Sequence, residues 1–373
     1  MSITPHDERF MAAAIRLSRW HLGRTATNPS VGCLIVKDGV IVGRAVTALS
    51  GRPHAETQAL AEAGVLARGA TAYVTLEPCS HHGKTPPCAE ALIAYGVGRV
   101  VIGVTDPDPR VSGRGIAMLR EAGIEVDAGV LEAEGRQSLA AYLTRQTKNR
   151  PYVTLKLAVS ADGMIGRQGA GQVAITGPEA RAQVQALRAE TDAILVGIGT
   201  AIADDPLLTV RSPGLESQSP IRIVLDPTLA LPLTSRLVGT AREVPVIVVA
   251  SEEGSLSQAE EDIASTEMDS RRAALEAAGV EVVHCNPYHP EVLLPALATR
   301  GISSLLVEGG AKTARLFLEA GLVDRIQFYQ APVVIGEGGI ESPLDATDIP
   351  SGFAHTGTLM FGGDRLDEYE RGL

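Results

Sequence analysis

Twice along this chain, short β-branched runs alternate with stretches of helical period, and that alternation restricts it to layered α/β folds. After an amphipathic first segment, "VGCLIVKDGVIVGRAV" joins two apolar runs at Lys37-Asp38-Gly39, the pattern of a hairpin with a turn-competent Asp-Gly pair. Helix and strand patterns then take turns through "HAETQALAEAG", "ATAYVTLEP", "CAEALIAYG", "GRVVIGVTDP", "GRGIAMLREAG" and "IEVDAGV". Together they read as a mixed sheet with helices on both faces. A polar helical stretch ends in "TRQTKNRPY", where Asn149-Arg150-Pro151 marks the expected boundary. The chain restarts with "YVTLKLAVS" and runs through "AILVGIG", "IRIVLDP", "VPVIVVAS", "VEVVHC", "SSLLVEGG" and "DRIQFYQAPVVIG" with helices interleaved, a second α/β domain. The expected domains are residues 1–148 and 149–373. The stretch from Ser251 to Arg272 is acidic and serine-rich, and reads as a mobile surface insertion.

Two domains suit 373 residues, more than one hydrophobic core usually organises. The net charge of −11 gives no general attraction for nucleic acid or anionic membrane, so any anionic ligand must be held by local groups. The first 20 residues carry acidic groups and no signal-peptide core, and no apolar run approaches the roughly 18 residues of a membrane span. Four scattered cysteines, Cys33, Cys79, Cys88 and Cys285, make no disulfide framework. A cytoplasmic location is the expectation.

Two of those cysteines sit in "PCSHHGKTPPC". Pro53 ahead of His54-Ala55-Glu56 suits a helix start, which places His54 and Glu56 in a first turn. The strand "AYVTLEP" delivers Cys79 at its end, and Cys88 opens the next helix. Helix starts favour the thiolate form that binds metal. One imidazole and two thiolates make a three-ligand zinc site with a fourth position left for water, a catalytic arrangement. The signature of zinc nucleobase deaminases is a His, a Glu two residues on, then Pro-Cys and a second Cys, the Glu moving protons rather than binding metal. The chain supplies these in order, with eight residues between the cysteines where the general signature has two. A structural zinc and an unliganded cysteine pair are the alternatives. His81 and His82 compete as ligands, substrate contacts or plain surface groups, and Cys33 reads as a core thiol.

The segments "NPSVGCLIVKDG", "GRPHAE", "TLEPCSHHGKTPPC", "KLAVSADG", "GIGTAIADDPLLTVR" and "VEGGAKTARLFLEAGLVD" together resemble the bifunctional deaminase/reductases of riboflavin biosynthesis over nearly the whole chain. The long Cys-to-Cys loop is the form that family has. The resemblance implies a cytidine-deaminase-like α/β/α first domain and a dihydrofolate-reductase-like α/β second domain. The first would deaminate a diaminopyrimidinone phosphoribosylamine; the second would reduce the ribosyl chain to ribityl with NADPH. It implies Zn2+ ligation by His54, Cys79 and Cys88, proton transfer by Glu56, pyrimidine binding by Asn28, and phosphate contacts from His82 and Lys84. Many relatives have Gly-aromatic-His where this chain has Ala45-Val46-Thr47, which puts one substrate contact in question.

Taken alone, the second half signals little. The Gly pair in "LLVEGGAKTARLFLEAG" suits phosphate oxygens at a helix start or a plain tight turn, and no GxGxxG follows a strand, which disfavours a Rossmann dinucleotide fold. The resemblance implies NADPH contacts from Ala158, Thr200, Asp204 and the run Gly310, Ala311, Lys312, Thr313. It implies substrate contacts from Arg188, Leu208, Arg211 and Glu308, with the arginines suited to clamping phosphate. Gln172 (substrate side) and Ala174 (cofactor side) stand where relatives often carry Ser and Trp. Lys156 and Asp162 are expected in a structural or electrostatic role. The expected partners are a small-molecule substrate, no nucleic acid, no membrane, and a second copy of the chain in a homodimer. Competing readings are a zinc deaminase of another nucleotide or RNA base with a non-catalytic second half, and a zinc-stapled scaffold.

Overall fold

A computed structural model describes residues 3–82, 86–251 and 258–372. The chain divides into two compact units, Met1–Asn149 and Arg150–Gly372.

The first unit opens with α1 (Pro5–Ser18), whose start is fixed by a reciprocal cap between Thr4 and Asp7. Two strands follow, β1 (Gly32–Lys37) and β2 (Val40–Val46). Their turn residues Asp38 and Gly39 both have positive φ, 51° and 77°, the backbone of a twist-matched two-residue hairpin. Next come α2 (Ala55–Ala63), β3 (Thr71–Leu76), α3 (Cys88–Ala94), β4 (Arg99–Val104), α4 (Arg114–Glu121), β5 (Glu125–Ala128), α5 (Glu132–Ser138) and α6 (Ala140–Lys148). The sheet order is β2-β1-β3-β4-β5, with β1 antiparallel to both neighbours and β3, β4 and β5 parallel. Helix α1 covers one face through Met11, Ala14, Leu34, Tyr73 and Val101, and α2, α3 and α4 cover the other around Ile35, Leu60, Leu92 and Leu119. Asp7 also accepts from Tyr73 (2.8 Å) and Arg99 (2.7 Å), tying the α1 cap to two strands.

The second unit runs β6 (Tyr152–Val159), β7 (Met164–Arg167), α7 (Pro178–Ala189), β8 (Ala193–Gly197), α8 (Ile198–Asp204), β9 (Ile221–Leu225), α9 (Arg236–Gly239) and β10 (Val246–Ala250). It continues with α10 (Gln258–Ala278), β11 (Glu281–His284), α11 (Pro290–Thr299), β12 (Ser304–Val307), α12 (Ala311–Glu319) and β13 (Arg325–Gln330). Strands β14 (Gly339–Glu341), β15 (Phe353–Phe361) and β16 (Asp364–Arg371) close it. The nine-stranded sheet has the order β11-β10-β9-β8-β12-β6-β13-β16-β15. Its first seven strands in that order are parallel; β16 then pairs antiparallel to β13, and β15 antiparallel to β16. A parallel sheet brings the ends of β6, β8 and β12 to one edge, the place where such sheets bind ligands.

The acidic stretch expected as a mobile insertion lies largely in α10, a helix of 21 residues. The physical reason is visible in its second half. Arg271 and Arg272 pair with Glu267 and Glu276 one turn away, while Met268 and Leu275 pack into the core beside β10. Residues 252–257 lie outside the described residues. The hairpin β15–β16 has no counterpart in the sequence reading. Asp162 takes the structural role: it accepts from Ser160 Oγ (2.7 Å) and from the amides of Ile335 (3.0 Å) and Gly336 (2.8 Å).

Candidate active site

In the first unit, His54 is the N-cap of α2 rather than a first-turn residue, because the helix starts at Ala55 and Pro53 precedes the cap. Glu56 is the second helical residue and is buried. Cys88 is the first residue of α3, and its amide donates to Cys79 Sγ at 3.2 Å. The start of α3 thus supplies one sulfur and stabilises the other. His54 Nδ1 lies 3.3 Å from Cys88 Sγ and 3.7 Å from Cys79 Sγ, and the three donor atoms all fall within 4.8 Å of one another. Hydrogen bonds from the Cys88 side chain, from His54 and from the Cys88 amide outweigh burial and bring the Cys79 thiol down to about 4. A thiolate-prone sulfur, a second sulfur and an imidazole nitrogen converging on one point fit zinc and leave the rest of a tetrahedral shell open. Among the described residues no other group of three His, Cys, Asp or Glu converges this way. The Glu56 carboxyl lies against this cluster, where burial and then the Cys79 charge raise it to about 7.

Neither neighbouring histidine belongs to the cluster. His82 Nε2 sits at the surface 2.9 Å from Glu90 Oε1, and His81 Nδ1 is buried without a partner. Lys84 lies outside the described residues. Asn28 packs on Gly51 so closely that a Cβ at Gly51 would stand 2.3 Å from Asn28 Nδ2, which brings Asn28 beside the loop leading to His54. Thr47 is buried and its hydroxyl accepts the Val31 amide at 2.9 Å, while its carbonyl meets His21 Nδ1 at 2.6 Å. The odd residue at 47 therefore serves the backbone that carries Asn28.

The sequence reading missed the acids behind the cysteine loop. Glu77, two residues before Cys79, accepts from the amides of Gly113 (3.0 Å), Gly115 (3.0 Å), Ile116 (3.3 Å) and Asp106 (3.3 Å). Asp106 accepts from Tyr142 Oη at 3.1 Å and from the Asp108 amide at 2.9 Å. The signal was "TDPDPR" directly after a buried strand, a position that faces the same sheet edge as Cys79.

In the second unit, Glu308 directly follows β12 and meets Arg188 of α7 in a two-point pair, 2.8 and 2.9 Å. Arg188 also reaches the Thr209 carbonyl at 3.4 Å. The fork expected to clamp phosphate is thus filled by Glu308. Arg211 pairs with no carboxylate among the described residues, and burial, then the like charges of Arg188 and Arg236, lower its pKa. Lys156 lies over the Tyr329 ring, 5.6 Å from its centroid, with burial lowering its pKa and Glu308 opposing that.

Thr200 Oγ1 accepts the Gly310 amide at 3.0 Å, joining α8 to the start of α12. Gly310 is the N-cap there, so no side chain occupies the first amides of α12 at Ala311, Lys312 and Thr313, which fits a cofactor diphosphate. Asp204 ends α8 half-buried, and burial raises its pKa. Ala158 lies near the end of β6, and Leu208 is buried in the segment that follows α8. Gln172 and Ala174 are exposed on the segment between β7 and α7.

Residues 4–104 match the cytidine and deoxycytidylate deaminase zinc-binding region, and residues 151–361 match the RibD C-terminal domain. The riboflavin biosynthesis protein RibD of Aquifex aeolicus is 42% identical over 332 residues, 89% of this chain and 88% of the relative. RibD of Escherichia coli is 42% identical over 343 residues, 88% of this chain and 89% of the relative. Among solved structures, the diaminohydroxyphosphoribosylaminopyrimidine deaminase/5-amino-6-(5-phosphoribosylamino)uracil reductase of Thermotoga maritima superposes with a TM-score of 0.84 at 34% identity, covering 98% of this chain and 99% of that one. An Acinetobacter baumannii RibD structure gives 0.81 at 35% identity, with 98% of each chain covered.

Fold and site together define a zinc-dependent deaminase joined to an NADPH-dependent reductase, two activities on one chain. More particularly, the chain belongs to the RibD family of bifunctional riboflavin-biosynthesis enzymes.

Proposed function

We propose that the first unit hydrolytically deaminates a diaminopyrimidinone phosphoribosylamine and that the second reduces the ribosyl chain of the resulting aminouracil to ribityl. The convergence of His54 Nδ1, Cys79 Sγ and Cys88 Sγ beside buried Glu56 carries the first assignment. His54, Cys79 and Cys88 would hold a zinc ion, which when bound would supply Lewis acidity to make water a nucleophile at neutral pH. Glu56 would carry two protons in turn: the attacking water's first proton to the ring nitrogen, then the remaining hydroxyl proton to the amine as the C–N bond breaks and ammonia leaves. Burial suits Glu56 to both roles, because a carboxyl that titrates near neutrality both accepts and donates at working pH. Asn28 holds the pyrimidine, and His82 and Lys84 contact the substrate phosphate.

In the second unit, Thr200, Asp204, Ala158, Ala174 and the run from Gly310 to Thr313 hold NADPH, which supplies the hydride. Glu308 lies at the carboxyl edge of the parallel sheet, paired with Arg188, and orients the reacting end of the substrate. Leu208 and Gln172 line its path, and Arg211, which pairs with no carboxylate among the described residues, takes its phosphate. Among the described residues no helix is long and apolar enough to cross a membrane. We place the enzyme in the cytoplasm as a homodimer. The nine-residue edge strand β15, with Leu359 and Met360 exposed, offers a second copy a surface to cover. Light scattering of the purified chain checks the mass.

The test of the catalytic reading is Glu56→Gln. Ammonia release is expected to fall by at least about a hundredfold, the scale of a lost general base, with zinc content and fold unchanged. Full ammonia release by that variant would make the zinc structural and sink the deaminase assignment to this site.

A further inference from the structure

The segment from Asp205 to Arg211, between α8 and β9, belongs to no helix or strand, yet side chains from elsewhere hold its backbone at Leu207, Thr209, Val210 and Arg211. Asp205 and Leu208 take left-handed φ values of 37° and 56°, which cost residues with a Cβ about 1 kcal/mol or more each and persist only when the surroundings impose them. The bonds run both into the segment's backbone and out from its own side chains. Asp205 Oδ1 accepts the Arg236 amide at 2.8 Å, fully buried Arg222 donates to the Leu207 carbonyl at 3.2 Å, and Ser219 Oγ accepts the Val210 amide at 3.0 Å. Two more restraints come from a single helix. On α7, Arg188 reaches the Thr209 carbonyl, and Gln185, three residues earlier and so on the same face, accepts the Arg211 amide through Oε1 at 2.7 Å.

We propose that Gln185 is a positioning residue for the reductase step: its hydrogen bond to the Arg211 main chain fixes where the Arg211 guanidinium starts, and so where the substrate's phosphate is gripped. The inference rests on the reading that Arg211 takes that phosphate. The electrostatics give the restraint a purpose. Arg211 has Arg188 and Arg236 as like-charged neighbours, only partly offset by Glu308, and such repulsion favours side-chain conformations that point away from them. Anchoring its backbone to α7 narrows that choice, so binding phosphate need not first order the chain that carries the charge.

The experiment uses the full chain, supplied with the deaminated phosphoribosylamino-uracil or with the same compound lacking its phosphate, and follows NADPH oxidation. Gln185→Met keeps side-chain length and removes the acceptor; Gln185→Ala serves as a second variant. For both, KM for the phosphorylated substrate is expected to rise about threefold to tenfold, the scale of one lost hydrogen bond. The turnover number, KM for the dephosphorylated compound and the thermal midpoint stay at wild-type values. Arg211→Ala raises the same KM further, and the double variant is no worse than Arg211→Ala, since Gln185 acts through Arg211. Unchanged KM in Gln185→Met, with a raised KM in Arg211→Ala, leaves the phosphate reading standing and overturns the role of Gln185. An unaffected Arg211→Ala overturns both. Equal KM increases for the two substrates, together with a lower thermal midpoint, make Gln185 a structural residue only and likewise overturn the proposal.

Discussion

Asp106 illustrates how a buried acid near the zinc cluster taxes the fold. It is 5% exposed, and burial raises its pKa to about 6 despite hydrogen bonds from the Asp108 amide and the Tyr142 hydroxyl; Asp108 and Glu77 add like charge. The folded value lies above the unfolded one, so the native state binds the extra proton. This group's stabilising effect is complete below about pH 4 and is lost as pH rises through about 6. Asp106→Asn keeps an oxygen acceptor and removes the charge. Wild type is therefore expected to lose roughly 1–3 kcal/mol relative to this variant between pH 4 and pH 7. Urea unfolding midpoints of the two proteins at both pH values check it, and parallel pH profiles would show that Asp106 does not titrate in this range. The same contrast explains which site residues were legible in the sequence. His54, Glu56, Cys79 and Cys88 carry a spacing that chemistry demands, whereas Glu77 accepts main-chain amides from residues 106–116 and Asp106 accepts the distant Tyr142 hydroxyl, jobs with no fixed spacing.

At the scale of elements, α4 decides where the cysteine loop begins. Helix α4 has Gly113 as N-cap and no side-chain cap of its own; the Glu77 carboxylate does that work from the end of β3. Gly115 then lies so close to β3's exit that a Cβ on it would stand 2.1 Å from the Pro78 carbonyl oxygen. Since Pro78 is bonded to Cys79, anything that pushes α4 away moves one of the proposed zinc ligands. Gly115→Ala is expected to cost about 1–3 kcal/mol from overpacking and to weaken zinc retention, read as metal content after dialysis against a mild chelator. Wild-type retention would show that the loop absorbs the displacement. Elements with strong local patterns were readable, as the Asp38-Gly39 hairpin shows. The β15–β16 hairpin escaped because β15 is exposed along most of its length and so lacks an apolar alternation, although Gly362-Gly363 was a usable turn signal. The acidic α10 escaped because Ser and charge were weighed above its ion pairs one turn apart.

For the whole molecule, the chemistry divides along the chain as the fold does. The zinc cluster and Glu56 belong to the first unit; the Arg188–Glu308 pair, Arg211 and the start of α12 belong to the second. None of the residues assigned to one reaction is borrowed from the other unit. That division makes the order of reactions a matter of substrate chemistry, with the second site waiting on a deaminated ring rather than on turnover at the first. Glu56→Gln should then be silent on the full two-step assay yet oxidise NADPH at the wild-type rate once the deaminated intermediate is supplied. The reason is local: replacing one buried carboxyl by an amide leaves the ligand trio and the second sheet untouched. The measurement is NADPH consumption by the variant with the starting substrate and, separately, with the intermediate. Oxidation restored by the intermediate fits two self-sufficient sites. Silence with both substrates, from a protein with normal zinc content and thermal midpoint, would mean that reduction depends on a working first site, and the assignment of the reductase to residues of the second unit alone would fail.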